Sequence, residues 1–151
     1  MPTLSHACVR VLDLARSVAF YRETLGLTPQ RELTMEDRGW HLVFLGDGVT
    51  PFQLELCREL QRTEPYRLGD DTPHVALVSQ DFQGLKAKHQ AMGLIFDELA
   101  NGIYFIQDPR RPHPGDSSSR LIPPLFQDTS PLEESRGLVS CRYEFVISCN
   151  F

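Results

Sequence analysis

Apolar and polar positions alternate over residues 6–11 and again over residues 74–78, which is the pattern of a strand with one buried face. An aspartate follows each stretch, Asp13 in the first case and Asp81 in the second, where it can cap a helix. Apolar residues then recur at helical spacing until a Gly-Leu pair, and glycine commonly ends a helix. The pattern predicts two copies of one strand–helix unit.

More strand signals follow each predicted helix. The first copy has three such signals and the second has two, at residues 27–33, 39–45 and 52–56 and at residues 94–96 and 102–106 respectively. Each unit is thus expected to be a βαβββ module, and the modules are expected to cover about residues 1–58 and 72–109. Because the second copy stops early, its last strand is expected to be missing or replaced.

The chain changes character after Pro109. Residues 110–151 contain five of the eleven prolines, seven serines and neither of the only two lysines. Such a composition is typical of irregular backbone, and only residues 142–147 have the pattern of a strand. We therefore expect a domain at residues 1–109, followed by an atypical Pro/Ser-rich tail.

Composition and charge exclude several classes of partner. The 151 residues carry 15 basic and 20 acidic side chains, a net charge of −5, whereas proteins that bind nucleic acid usually present a basic face. No apolar run approaches the roughly 20 residues of a membrane span. The first residues do not resemble a signal peptide, and the four cysteines form no Cys-x-x-Cys pair. A cytoplasmic protein is therefore expected, without a nucleic-acid or membrane partner.

Three polar residues are candidates for a metal site. His6 and His74 begin equivalent strands, and Glu55 lies between two leucines on a strand, so that it should face away from the apolar layer. Two imidazoles and a carboxylate suit a divalent cation, although each residue taken alone is also compatible with a solvated surface position. Cys8 and Cys57 are expected to be small core residues that have no base or cysteine nearby.

Several segments resemble glyoxalase I (lactoylglutathione lyase), a family of the vicinal oxygen chelate superfamily. The resemblance extends from Leu4 to Pro109. The motifs that carry it are His-Ala-Cys-Val-Arg-Val at 6–11, Ser-Val-Ala-Phe-Tyr at 17–21, Phe-Gln-Leu-Glu-Leu at 52–56, Tyr-Arg-Leu-Gly at 66–69, His-Val-Ala-Leu at 74–77 and Gly-Ile-Tyr-Phe-Ile-Gln-Asp-Pro at 102–109. A Tyr-x-Leu-Gly sequence before a His-x-Ala-Leu strand is typical of the glyoxalase branch.

The resemblance implies an α+β fold in which the two modules form a cupped mixed sheet. It makes His6, Glu55 and His74 ligands of one divalent metal, nickel or zinc, and it makes Arg10 the residue that binds the glutamyl carboxylate of glutathione. The family isomerises the hemithioacetal of methylglyoxal and glutathione to S-lactoylglutathione, and a metal-bound carboxylate, here Glu55, moves the proton. Because family members are commonly homodimers with sites between subunits, a homodimer is expected.

The resemblance breaks after Pro109, where the family has a strand that ends in a glutamate, the fourth ligand and base. Here Gly115 stands in the place of that glutamate. If Arg110 and Arg111 are encoded by CGA and CGG, reading one base further on allows Asp-Gly-His-Ile-Gln-Glu, so we hypothesise that the tail is a shifted-frame product. Alternatively, the tail is native and supplies a substitute base, for which Glu144 is preferred because its neighbours are strand-like. The other candidates are Asp116, His113 and Glu133.

Two further functions stay open. Another vicinal oxygen chelate enzyme, such as a dioxygenase, an epimerase or a thiol transferase, would use a similar set of three ligands. A metal-free module that binds a small molecule in the same cup would have lost the chemistry. The leading expectation is a lactoylglutathione lyase whose activity is impaired by the loss of the fourth ligand.

Overall fold

The computed structural model describes residues 1–67, 74–100 and 102–108, together with the backbone of one further strand. The elements are β1 (His6–Arg10), α1 (Leu14–Leu25), β2 (Thr28–Met35), a short 3-10 helix (Glu36–Arg38), β3 (Trp40–Gly46), β4 (Gln53–Glu59), β5 (Val75–Ser79), α2 (Phe82–Ala91), β6 (Ile95–Glu98), β7 (Tyr104–Gln107) and β8 (Tyr143–Ser148). Neither described helix is long and apolar enough to cross a membrane. The predicted α+β fold is confirmed.

The helix boundaries follow from the predicted capping residues. The Asp13 carboxylate accepts a hydrogen bond from the Arg16 backbone N–H at 2.9 Å, which satisfies a donor that the first turn of α1 leaves unpaired. At the other end, Gly26 adopts the left-handed conformation, with φ of 72°, that stops the helix. Asp81 caps α2 in the same way by accepting from the Gly84 backbone N–H at 3.1 Å. Both helices therefore begin where the sequence predicts.

The eight strands form two four-stranded sheets with the same strand order. The first sheet has the order β1-β4-β3-β2 and the second has the order β5-β8-β7-β6. Each sheet therefore belongs to one strand–helix–strand unit, and β8 takes the place of the strand that the second unit was expected to lack or replace. The last strand is thus replaced by a segment close to the C-terminus.

Strand β8 occupies the position in the second sheet that is equivalent to β4, but it runs in the opposite direction. In the first sheet, β4 runs parallel to β1 and antiparallel to β3. In the second sheet, β8 runs antiparallel to β5 and parallel to β7. A parallel neighbour needs a crossover connection of about a dozen residues or more, and residues 108–142 separate β7 from β8. The two modules therefore share strand order but differ in the direction of one strand.

One apolar core joins the two modules. It contains Val9 and Leu56 from the first sheet, Tyr21 from α1, Phe82 from α2 and Ile106 from β7. Because side chains alternate along a strand, burying these residues leaves the opposite face of the first sheet outside the core. That opposite face carries His6, Arg10 and Glu55.

Candidate functional site

The site lies on the face of the first sheet that is turned away from the shared core. His6, Cys8 and Arg10 occupy alternate positions of β1, whereas Val9 between them is fully buried in the core. Glu55 and Cys57 occupy alternate positions of β4, with Leu56 of the core between them. We call these five residues on β1 and β4 the site face.

Strand pairing brings the side chains of the site face into two adjacent rows. Cys8 of β1 lies opposite Glu55 of β4, and Arg10 lies opposite Cys57. Phe44 and Leu42 of β3 continue these two rows, and both are buried beside Cys57 in a second, smaller apolar cluster. Glu55 and Cys57 therefore have apolar neighbours on the β3 side, whereas His6, Cys8 and Arg10 on β1 are exposed.

His6 and Glu55 are brought together as predicted. The His6 Nε2 atom lies 3.3 Å from Glu55 Oε2, and the carboxylate side chain is only 12% exposed. The imidazole ring meets Phe44 edge-on, with 5.7 Å between the ring centroids. Two ligands of one cation at about 2.1 Å in tetrahedral geometry are about 3.4 Å apart, so this pair fits a divalent metal. Their roles as metal ligands stay predictions.

His74 is not brought to this pair within one protomer. It is exposed and lies immediately before β5, on the second sheet. In the described part of the chain, the one group of at least three His, Cys, Asp or Glu residues whose ligand atoms cluster consists of Cys8, Glu55 and Cys57. The three ligands that the resemblance implies therefore do not form a single cluster in this protomer.

The expectation for Cys8 was wrong. Cys8 is exposed rather than part of the core, and its sulfur lies with that of Cys57 and a Glu55 oxygen in a group whose ligand atoms are all within 4.8 Å of one another. Partial burial, and then the adjacent Glu55 carboxylate, raises the pKa of the Cys8 thiol to about 12. Burial is also the main cause that raises the pKa of Cys57. Both thiols are therefore protonated at neutral pH and unreactive as nucleophiles.

A sequence signal for this cluster exists. Each cysteine follows a predicted ligand by two positions, since Cys8 follows His6 on β1 and Cys57 follows Glu55 on β4. A period of two puts both members of each pair on the same face of a strand. Only the parallel pairing of β1 with β4 then shows that the two cysteines are neighbours.

Arg10 is held among aromatic rings at the end of the site face. Its guanidinium lies 4.9 Å from the Trp40 ring centroid and 5.9 Å from that of Tyr66. The Arg62 guanidinium lies 4.1 Å from the same Tyr66 ring. Among the described residues, the buried Tyr66 hydroxyl has no hydrogen-bond partner. Two cations and an available hydroxyl donor suit a carboxylate group of a ligand.

The second sheet has no comparable donors in its equivalent row. By position in the repeat, Ala76 corresponds to Cys8, and the residue opposite Ala76 on β8 is Val146, which therefore corresponds to Glu55. Neither residue has a metal ligand atom in its side chain. Glu144 lies opposite Val78, two residues before Val146 on β8. Its role as a substitute base stays a prediction, while Gly115, Asp116, His113 and Glu133 lie outside the described residues.

A groove with a volume of about 660 Å³ lies elsewhere in the molecule. It runs between the β3–β4 turn and β5, and none of the site-face residues lines it. Its walls are mainly core leucines and the β5 strand. This groove therefore does not mark the site of the predicted chemistry.

A family model described as Glyoxalase/Bleomycin resistance protein/Dioxygenase superfamily matches residues 3–129. The chain belongs to this superfamily. The match includes all five residues of the site face. No curated protein sequence matches this superfamily member significantly.

Solved structures of glyoxalases share the fold of this superfamily member. The trypanothione-dependent glyoxalase I of Leishmania major superposes with a TM-score of 0.65 at 22% identity, over 99% of this chain and 88% of that enzyme. A glyoxalase I mutant from Zea mays superposes with a TM-score of 0.60 at 21% identity, over 95% of this chain, which spans only 44% of the maize chain. The YycE protein of Bacillus subtilis, of unknown function, gives 0.55 at 16% identity, over 98% of this chain and 90% of that one.

Proposed function

We propose that this protein is a lactoylglutathione lyase-type metalloenzyme, which isomerises the hemithioacetal of methylglyoxal and glutathione. The observation that carries the proposal is the pair formed by His6 Nε2 and Glu55 Oε2, 3.3 Å apart on the site face. The pair lies within the segment that matches the superfamily. Glutathione as the thiol is supported by the resemblance of the motifs around Arg10 and Tyr66 to the glyoxalase branch.

The substrate would be held by the cationic end of the site face. Arg10, fixed between Trp40 and Tyr66, can pair with the glutamyl carboxylate of glutathione. The Tyr66 hydroxyl can donate a hydrogen bond to the same carboxylate, because its oxygen is buried and without a partner among the described residues. The reacting carbons would then lie nearer the start of β1, beside Glu55.

Glu55 would move the proton. Its carboxylate would remove the proton from the carbon that bears the sulfur and return it to the adjacent carbon, while the hydroxyl proton passes to the former carbonyl oxygen, so that bonds and charge balance at the end of the reaction. His6 holds the carboxylate from one side, which fixes its direction. A nickel or zinc ion bound by His6 and Glu55 would stabilise the negative charge that develops on the two substrate oxygens.

A homodimer would complete the ligand set. In the described strands, β1 and β5 are the outermost members of their sheets, and each has a neighbour on one side only. Pairing β1 of one protomer with β5 of another would cover both edges and bring a second protomer's His74 towards Glu55. A site between subunits is therefore consistent with the position of His74 on the other sheet.

The test is the formation of S-lactoylglutathione by the purified chain after chelation, with nickel and then zinc added back. We expect turnover with at least one metal, and a loss of about 100-fold or more in kcat for Glu55→Gln, because the amide cannot take up a proton. Glu32→Gln is the matched control, since Glu32 is an exposed carboxylate on β2 that pairs with His41. Wild-type-like turnover by Glu55→Gln at full metal loading would contradict the assigned role.

A metal-free binding module is the second candidate, and one observation favours it. The position that corresponds to Glu55 on the second sheet is Val146, which cannot bind a metal. Such a module would bind glutathione without metal and would not turn over. Metal analysis of the purified protein, together with glutathione binding before and after chelation, separates this function from the enzymatic one and from other enzymes of the superfamily.

A further inference from the structure

We propose that Cys8, Glu55 and Cys57 form a binding site for a thiophilic divalent cation of the zinc class, contained within one protomer. The proposal rests on the proposed function only in sharing Glu55 with it. It assigns two sulfur ligands that the resemblance to glyoxalase I does not imply. It also assigns the choice of metal, which the residue types His and Glu leave open.

The backbone brings these three residues together. Cys8 lies directly opposite Glu55 in the parallel β1–β4 pair, and Cys57 lies two residues beyond Glu55 on the same face. The two sulfurs and a carboxylate oxygen are all within 4.8 Å of one another. A tetrahedral zinc ion with bonds of about 2.3 Å to sulfur and about 2.1 Å to oxygen needs ligand atoms about 3.6–3.8 Å apart. A shift of about 1 Å in the side chains closes the difference.

The residues around Cys8, Glu55 and Cys57 allow the three ligand atoms to move closer together. Cys8 is exposed, so its side chain can turn towards a cation without displacing core residues. Cys57 is buried against Leu42 and Phe44, which keeps one ligand fixed. His6 contacts Glu55 from the other side and can orient the carboxylate as a supporting residue. Three protein ligands leave a fourth position for water or a substrate atom.

The ligand types select the cation. Both thiols are protonated without a metal and would lose their protons when a cation binds. Two sulfur ligands favour zinc or cadmium over magnesium, and they suit nickel less well than nitrogen and oxygen ligands do. The equivalent row of the second sheet, Ala76 and Val146, offers no ligand atom from a side chain. The first module therefore holds the whole set, and the expected stoichiometry is one cation for each protomer.

The experiment is a titration of the reduced, metal-free chain with Co²⁺, followed by measurement of zinc content after replacement with Zn²⁺. Sulfur bound to Co²⁺ gives an intense charge-transfer absorption in the near ultraviolet, which nitrogen and oxygen ligands do not. We expect this absorption to saturate at one Co²⁺ for each protomer. Cys8→Ser should abolish it, and so should Cys57→Ala, with each variant folded as judged by circular dichroism.

Two control variants separate this site from other cysteines and from the proposed dimer site. The double variant Cys141→Ser/Cys149→Ser removes the other two cysteines of the chain, and His74→Ala removes the ligand expected from a second protomer. Both should keep the absorption. Absorption that is absent from the wild type, that persists in Cys8→Ser, or that disappears with Cys141 and Cys149 overturns the proposal.

The Co²⁺ titration contains no substrate, so its result is independent of the turnover assay that tests the proposed function. Thiolate absorption without S-lactoylglutathione formation supports this site and contradicts the enzymatic proposal. Turnover without thiolate absorption contradicts this site and supports the enzymatic proposal. Because Cys8 is exposed, Cys8→Ser decides the matter even if Cys57→Ala fails to fold.

Discussion

The imidazole of His89 is fully buried where the two modules meet. Its Nε2 atom lies 3.0 Å from the Thr24 carbonyl oxygen, which can only accept, so Nε2 carries the hydrogen. Its Nδ1 atom lies 2.9 Å from the Tyr104 hydroxyl, which therefore donates to it. Thr24 belongs to α1, His89 to α2 and Tyr104 to β7. One neutral side chain thus connects three elements of both modules.

This burial makes stability depend on pH. Burial lowers the pKa of His89 below its ordinary value of 6.5, so the unfolded chain binds this proton more readily than the folded one. The contribution of neutral His89 to the free energy of unfolding is fully present above pH 6.5, and it is lost as the pH falls towards the pKa of His89 in the folded chain. In urea unfolding at a series of pH values, we expect His89 to lower the free energy of unfolding by up to about 1.4 kcal/mol for each pH unit below 6.5 in that window.

His89→Gln tests the assignment. The variant should be less stable at pH 7.5 by about 1–3 kcal/mol, because Tyr104 or Thr24 loses a buried partner, and its stability should fall less steeply between pH 7 and pH 5. His41→Gln is the control, because His41 pairs with Glu32 at the surface. Equal pH slopes for the wild type and His89→Gln would show that His89 is not responsible.

The residues that the sequence could predict are those whose position follows from local periodicity. A period of two puts His6 and Arg10 on one face of β1 and puts Glu55 on the face of β4 away from its leucine neighbours, and this can be read without a structure. The contact between Cys8 and Cys57 depends on the pairing and register of two strands far apart in the chain, which periodicity does not determine. The same limit applies to His89, whose partner Thr24 belongs to the other module.

At the scale of elements, β8 is the part of the fold that departs from internal symmetry. The alternating pattern of residues 142–147 predicts a strand, and the structure has one at Tyr143–Ser148. An alternating pattern is the same when read from either end, so the direction of the strand cannot be predicted from it. A reversed strand also changes which residue stands opposite each position of β5. In the observed register Val146 lies opposite Ala76 and Glu144 lies opposite Val78, so Val146 is the residue that corresponds to Glu55.

The direction of β8 can be tested by crosslinking. In a background without the four native cysteines, Ser79→Cys combined with Tyr143→Cys should form a disulfide, because these residues are opposite each other in the antiparallel register. Directly paired antiparallel residues have Cα atoms about 4.5–5.5 Å apart, within the range that a disulfide spans. The matched control is Val75→Cys combined with Tyr143→Cys, which should stay reduced. Crosslinking of the control pair alone, read by mass spectrometry, would mean that β8 runs parallel to β5.

At the scale of the whole molecule, the two modules share a core but not a site. Core residues from both sheets and both helices pack together in one cluster. Separating the modules would therefore expose this core and lower stability. The site face, by contrast, belongs to the first sheet alone, and His74 lies at the edge of the second. The division into modules at about residues 1–58 and 72–109, with a tail at 110–151, stays a prediction. A second protomer is the simplest way to bring His74 to the site face.

Complementation between two inactive variants tests this arrangement. In a heterodimer of Glu55→Gln with His74→Ala, a site built from two protomers would combine the intact first module of one chain with the intact second module of the other. One of the two sites would then be complete, and the co-expressed, doubly tagged heterodimer should recover about half of the wild-type activity. A site built from one chain would be damaged in both protomers and would recover no activity.

The control heterodimer, Glu55→Gln with His6→Ala, damages both first modules and should be inactive in either case. Since Glu55 and His6 already meet on one sheet, the outcome depends only on which protomer supplies His74.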